Sequence, residues 1–137
     1  MTGLIVCLAV LAVASAYGLI HRRGEGRIRV RAKDADERLT VADLGGPLGE
    51  RATLVQFSSA FCAPCRATRR VLGEVAGMVE GVRHVEIDAE AHLDLVRRLN
   101  ILRTPTVLVL DAGGSVVRRA AGQPRRADVI AALGAAV

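Results

Sequence analysis

Two cysteines, Cys62 and Cys65, stand three residues apart at the point where the hydrophobic pattern changes its period. Before them, residues 53–57 form a compact apolar run with the length of a buried strand. After them, apolar residues recur at helical spacing over residues 63–78. The pair therefore lies between a strand and a helix, and this order restricts the chain to folds that combine both elements.

The helix predicted after the cysteines has one apolar face and one largely basic face. The residues expected to face the core are Ala67, Val71, Leu72, Val75, Met78 and Val79. The residues on the other side are Arg66, Arg69, Arg70 and Glu74. A charged helix surface of this kind is usually exposed to solvent. Its net positive charge also favours the ionised form of Cys62.

Three further runs of β-favouring residues predict strands after this helix, at 82–87, 106–110 and 115–120. Helical connections between the early strands indicate parallel pairs, whereas the Gly113-Gly114 turn indicates an antiparallel hairpin. We therefore expect an α/β fold with a central mixed sheet and helices on both of its faces.

Three shorter helices are also predicted. Thr40 as N-cap and Gly45 as stop bound a helix at 41–44. The core-facing residues of the other two are Leu93, Val96 and Leu99 in one, and Val129, Ile130 and Leu133 in the other, which begins at Pro124. Residues 27–31 alternate Arg with Ile or Val, which predicts an edge strand.

Residues 3–20 form an apolar run without a charge, and as a helix they would span about 27 Å, close to the hydrocarbon thickness of a bilayer. We interpret residues 1–20 as a transmembrane anchor, 21–38 as a basic juxtamembrane linker and 39–137 as one folded domain. A cleaved signal peptide is the alternative, because small residues near the end of the run resemble a cleavage site. The positive charge follows the run instead of preceding it, which favours an anchor.

The net charge of +5 belongs to one short segment. Residues 22–33 hold five Arg and one Lys against Glu25 alone, and from residue 34 onward 13 Arg meet 13 acidic residues. The positive-inside rule places this segment in the cytoplasm, so we expect a single-pass protein of the cell membrane with a cytoplasmic domain. The extracytoplasmic placement is the alternative.

Aromatic residues are scarce, since Tyr17, Phe57 and Phe61 are the whole set. Few rings are available to stack on bases, and the basic charge is local, so no nucleic-acid partner is expected. The three cysteines are too few for a four-cysteine zinc site. The third of them, Cys7, lies in the apolar run and is expected to be a packing residue.

The junction between strand and helix favours redox chemistry at the cysteine pair. Unpaired backbone N–H groups and the positive end of the helix dipole favour the thiolate of Cys62, which is the nucleophile in disulfide exchange. Cys65 follows one helical turn later, near enough to attack a mixed disulfide at Cys62. Pro64 falls in the first turn, where its missing N–H costs nothing.

Thr104-Pro105 is the second unusual feature, because a proline directly precedes a strongly β-favouring run. A trans proline at a strand start and a cis proline in a sharp turn both fit this pattern.

Four features together resemble the thioredoxin family over about residues 51–136. They are FSSAFCAPCR at 57–66, VEID at 85–88, RTPT at 103–106, and the glycine turn at 113–114 followed by Gly122. The resemblance implies the thioredoxin fold, Cys62 as the attacking and Cys65 as the resolving cysteine, and Pro105 as a cis proline that faces them. With Phe61 and Thr104, Pro105 is expected to contact the substrate.

This chain departs from the usual family pattern at several positions. Phe61 stands where thioredoxins usually have Trp, and Ala63 stands in place of Gly. Gln56 stands where thioredoxins carry a buried Asp that relays a proton, and His84 stands in place of its neighbouring Lys. Since Gln does not titrate, water or His84 is expected to handle the proton of Cys65, and the substrate range is expected to be narrow.

The resemblance and the residues together predict a membrane-anchored thiol-disulfide oxidoreductase. Its partners would be protein thiol or disulfide substrates, an unidentified electron donor or acceptor, and the membrane through residues 3–20. No cofactor beyond the redox-active Cys62–Cys65 disulfide is expected, and no metal. A metal-binding module and a non-catalytic docking module at the membrane are the alternatives.

Overall fold

A computed structural model of the chain describes residues 1–24 and 37–137. The predicted edge strand at 27–31 and most of the predicted linker lie outside these residues. The described elements are α1 (Thr2–Gly24), α2 (Val41–Leu44), β1 (Ala52–Ser58), α3 (Ala63–Met78), β2 (Val82–Asp88), α4 (Leu93–Arg98), β3 (Thr106–Asp111), β4 (Val116–Ala121) and α5 (Arg126–Ala136).

The four described strands form one mixed sheet in the order β2-β1-β3-β4. The pair β1–β2 is parallel, as the helical connection through α3 predicts, and β3–β4 is the expected antiparallel hairpin. The second helical connection does not give a parallel pair, because β3 runs antiparallel to β1. The six residues of α4 span about 9 Å, which is less than the length of a strand. The chain therefore returns to the sheet at the same end of the strands at which β2 finishes.

Helices cover both faces of the sheet, because β1 sends alternate side chains to opposite sides. On one face, Leu54 of β1 packs in a cluster with Leu72 of α3 and Val129 of α5. On the other face, Phe57 of β1 packs in a cluster with Leu95 of α4 and with α2. The predicted architecture is therefore confirmed among the described residues.

Three residues predicted to face the core lie at the surface. Met78 is 64% exposed, Leu93 54% and Ile130 43%. Thr68 and Leu95 are buried in α3 and α4 instead, and the hydroxyl of Thr68 is satisfied by donating to the Pro64 carbonyl at 2.8 Å.

The ends of the short helices follow from their caps. Thr40 caps α2 and Gly45 ends it, as predicted. The Thr40 side chain accepts from the backbone N–H of Asp43, the Asp43 carboxylate accepts from the backbone N–H of Thr40, and Gly45 adopts the left-handed conformation. The last helix begins at Arg126 and not at Pro124, so the predicted start was two residues early.

Helix α1 contains the segment Thr2–Arg23, within which a window of 18 residues has a mean hydropathy of 2.4 and no buried residue. By length and composition it can cross a membrane, and a signal sequence has the same properties. The helix continues beyond the apolar run through Arg22 and Arg23.

A buried arginine on β4 was not anticipated from the sequence. Arg119 is 8% exposed, donates to the Leu99 carbonyl at 2.7 Å and forms an ion pair with Glu37 at 2.9 Å. It therefore joins the first described segment of the domain to the end of α4, close to the loop that leads into β3.

Leu72→Ala removes a fully buried side chain between α3 and the sheet, and we expect the free energy of unfolding to fall by about 2–5 kcal/mol. Met78→Ala changes an exposed side chain on the same helix, and we expect a loss below about 0.5 kcal/mol. Urea unfolding followed by circular dichroism measures both values. A loss of similar size at Met78 would contradict the packing of α3.

Candidate functional site

The two cysteines stand at the start of α3 and differ sharply in exposure. Cys62 is the N-cap residue, and its Sγ accepts a hydrogen bond from the backbone N–H of Cys65 at 3.2 Å. The two sulfurs are joined in a disulfide, with the Cα atoms 5.2 Å apart. Cys62 is half-buried, whereas Cys65 is 1% exposed. A partner can therefore reach the sulfur of Cys62 more readily than that of Cys65.

The surface around the disulfide is apolar and exposed. Phe61 directly precedes Cys62, and its side chain is fully exposed at 103%. Ala60, Ala63 and Pro64 are also exposed. A large ring without internal packing, beside a reactive sulfur, is available to contact another molecule.

The Thr104–Pro105 peptide bond is cis, as the family resemblance implied. Phe57 of β1 pairs with Thr106 of β3, so the sheet brings this proline to the edge where the cysteine loop begins. The carbonyl of Pro105 accepts a hydrogen bond from the Gly122 N–H at 2.8 Å. Pro105 itself is buried and Thr104 half-buried.

Ser59 connects the cysteine loop to the proline loop, a role that its sequence context does not indicate. Its hydroxyl lies 2.9 Å from the hydroxyl of Thr104. A serine after a strand end is common in loops, so no signal in the sequence distinguished it. The contact holds the cysteine loop and the proline loop side by side.

Gln56 lies fully buried beneath α3 and makes three hydrogen bonds. Its Nε2 donates to the Cys65 carbonyl at 2.7 Å and to the Ser58 hydroxyl at 3.0 Å, and its Oε1 faces Nε2 of His84 at 3.2 Å. A carbonyl can only accept, so the NH₂ group of Gln56 must face Cys65 and its oxygen must face His84. Nε2 of His84 therefore carries the proton in this contact.

Burial lowers the pKa of His84, and the positive charge of Arg69 lowers it further, against the opposing effect of Glu86. Arg69 and Glu86 form a bidentate pair beside it, with distances of 2.5 and 2.7 Å. His84 is therefore neutral at neutral pH, and its proton points to an amide that does not titrate. The structure joins His84 to the backbone of Cys65 through Gln56.

His92 and Cys7 lie away from this site. His92 precedes α4 and contacts the Asp88 carbonyl at 2.9 Å, and Cys7 is exposed on α1. In residues 1–24 and 37–137, no three His, Cys, Asp or Glu side chains come together as a metal site.

Comparisons with known proteins agree with this geometry. The family model described as Thioredoxin matches residues 29–135. Thioredoxin C-2 of Corynebacterium nephridii is 32% identical over 77 residues, which cover 56% of this chain and 71% of that protein. A thioredoxin of Aspergillus fumigatus is 28% identical over 69 residues, 50% of this chain, and the match spans 64% of that protein, less than two thirds.

Among solved structures, a mutant thioredoxin from Halobacterium salinarum is similar, with a TM-score of 0.58 at 17% identity. The match covers 64% of this chain and 75% of the archaeal chain. At this identity the likeness concerns the fold alone.

The lowered pKa of His84 predicts that the free energy of unfolding depends on pH. The unfolded chain binds this proton more readily than the folded chain, so stability is complete above about pH 6.5 and falls as the pH drops below it. We expect His84→Gln to flatten this dependence between about pH 6.5 and 5. Urea unfolding at a series of pH values measures it.

His92→Gln, at the exposed start of α4, is the matched control and should keep the wild-type slope. An unchanged slope in His84→Gln would show that another group causes the pH dependence.

Proposed function

Because this chain belongs to the thioredoxin family, we propose that it is a thiol-disulfide oxidoreductase that exchanges disulfides with protein substrates. The observation that carries this proposal is the disulfide between an accessible N-cap cysteine, Cys62, and a buried cysteine, Cys65, at the start of α3. The accessible position of Cys62 suits the attack on a substrate disulfide, and the buried position of Cys65 suits the later step that releases the substrate.

In the reducing direction, the thiolate of Cys62 attacks one sulfur of the substrate disulfide. The substrate S–S bond breaks, a mixed disulfide forms, and the first substrate sulfur leaves and takes a proton. The thiol of Cys65 then loses its proton and attacks the sulfur of Cys62, which releases the second substrate thiol. Two electrons pass to the substrate, and the protein ends with the Cys62–Cys65 disulfide.

We assign the substrate contacts to Phe61, Thr104 and Pro105. The exposed ring of Phe61 supports an apolar contact with the residues that flank the substrate disulfide. The hydrogen bond between Ser59 and Thr104 supports a common binding surface, because it holds the two loops together.

We assign a positioning role to Gln56 and His84. Gln56 cannot accept the proton that Cys65 loses, and the nitrogen of His84 that faces Gln56 is already protonated. Water is therefore the proposed carrier of this proton. Gln56 holds the carbonyl of Cys65, and His84 holds Gln56.

We further propose that α1 anchors the domain in the cell membrane with the domain in the cytoplasm. Arg22 and Arg23 lie in the last turn of the helix, and more arginines follow in the sequence, which supports a cytoplasmic flank. In a reducing compartment, the domain would act as a reductase supplied by a cytoplasmic electron donor.

The proposed activity predicts that the full chain, in a non-ionic detergent with dithiothreitol, accelerates the reduction of insulin disulfides. Cys62→Ser should return the rate to that of dithiothreitol alone, because the attacking thiolate is lost. The turbidity of the released insulin chain measures the rate. Equal rates for wild type and Cys62→Ser would favour a non-catalytic docking module.

The division of roles predicts a second result. In Cys65→Ser, the resolving thiol is absent, so a mixed disulfide between Cys62 and the substrate should accumulate. Non-reducing electrophoresis and mass spectrometry detect this adduct. Accumulation in Cys62→Ser instead would reverse the two assigned roles.

The proposed orientation predicts that Cys62 is inaccessible from outside the cell. Intact cells that express the chain are treated with an impermeant reductant and then with an impermeant thiol reagent. We expect label at Cys62 only after permeabilisation, with Cys62→Ser as the control for the labelled site. Labelling in intact cells would place the domain outside the cytoplasm.

A further inference from the structure

Three segments meet at the edge of the sheet that carries the disulfide: residues 59–70, 99–105 and 122–126. The hydroxyls of Ser59 and Thr104 join the first two segments at 2.9 Å. The hydrogen bond from Gly122 to Pro105, at 2.8 Å, joins the second to the third. These contacts place the three segments next to one another, and Cys62 belongs to the first of them.

These three segments contain arginine and no acidic residue. Their arginines are Arg66, Arg69, Arg70, Arg103, Arg125 and Arg126. Two of them are neutralised, since Arg69 pairs with Glu86 and Arg126 pairs with Glu74. Because Glu74 lies on α3, the second pair also shows that the start of α5 lies against α3.

Three other arginines keep their charge available at the surface. Arg66, Arg70 and Arg125 are exposed, and no carboxylate of the described residues lies within ion-pair distance of them. We call these three residues the basic face. Two acids lie at the same end of the sheet: Asp88 is the last residue of β2, and Glu90 follows that strand. Strand β2 lies on the opposite side of β1 from β3, which the cis proline precedes.

The same segments carry the most exposed large apolar side chains among residues 37–137. Phe61 is 103% exposed and Leu102 is 85% exposed. The other exposed large apolar residues of this region reach at most 64%, at Met78. Apolar contacts and positive charge are therefore combined where a substrate disulfide must dock.

We propose that the basic face selects substrate proteins whose disulfide lies in an acidic segment. This inference rests on the proposed oxidoreductase function and specifies its substrate class. Unpaired positive charge around a reactive sulfur attracts a negatively charged partner and speeds its encounter. An anionic lipid surface has the same charge but carries no disulfide, so a productive occupant of this site is a polypeptide.

The test compares three peptide disulfides that differ only in flanking residues, which are Glu, Gln or Lys. The full chain is reduced, freed of reductant and mixed with each peptide in a non-ionic detergent. We expect the second-order rate constant of this single reduction to be about tenfold larger for the Glu peptide than for the Lys peptide at low ionic strength. The ratio should fall toward one as salt is added.

A triple variant, Arg66→Glu with Arg70→Glu and Arg125→Glu, should reverse the order of the Glu and Lys peptides. Arg51→Glu is the matched control, because Arg51 is exposed at the opposite end of β1, and it should keep the wild-type order. The comparison uses ratios within each variant, so a general change in the rate of the cysteine pair does not affect it.

Equal rates for the three peptides in the wild type would overturn the basic face and leave the oxidoreductase function intact. An unchanged order in the triple variant would also overturn the basic face. No reduction of any peptide would overturn both proposals.

Discussion

Burial of β1 is the constraint on which the rest of the domain depends. All seven of its residues are buried, with β2 on one side, β3 on the other and helices on both faces. A strand enclosed in this way can lead to a solvent-accessible site only where it ends. The chain leaves the sheet after Ser58, turns over four residues and begins α3 at Ala63, and the cysteine pair lies at this exit. The packing of β1 therefore determines where the disulfide lies.

The same burial makes Gln56 important. A polar side chain in the core destabilises the fold unless its hydrogen bonds are made, and the amide of Gln56 makes them to Ser58, Cys65 and His84. Where the family usually places a buried acid, this chain holds a neutral group that stays in one protonation state at any physiological pH. The start of α3 is therefore tied to the sheet by contacts that do not titrate, except through His84.

Much of this arrangement could be predicted from the sequence, because strong periodicity and turn residues determine it. The bounds of α3, the capped helix α2 and the hairpin after β3 follow from local signals. The faces of the helices were harder to predict. Six residues of α4 make under two turns, so Leu93 and Leu95 were equally plausible as core residues, and the last turn of α3 left Met78 exposed at 64%.

Long-range polar contacts left no periodic signal. A sequence pattern places an arginine such as Arg119 at the surface. Its side chain is buried because the guanidinium pairs with the Glu37 carboxylate and donates to the Leu99 carbonyl. Ser59 and Thr104 are 45 positions apart, and only the antiparallel pairing of β1 with β3 brings them into contact. The spacing of Cys62 and Cys65 between a strand and a helix located the redox pair, and the resemblance to a family implied the cis form of Pro105, whereas the contacts that support these residues required the fold.

Cys62 is the more accessible cysteine of the pair, and Cys65 is protected by burial. The most direct measurement is alkylation of the reduced full chain with a limiting amount of iodoacetamide, followed by peptide mapping by mass spectrometry. We expect the label at Cys62 to exceed that at Cys65, because Cys65 is 1% exposed in the first turn of α3. The free Cys7 of α1 is mapped on a separate peptide and does not enter this comparison. Equal or preferential labelling of Cys65 would contradict this account.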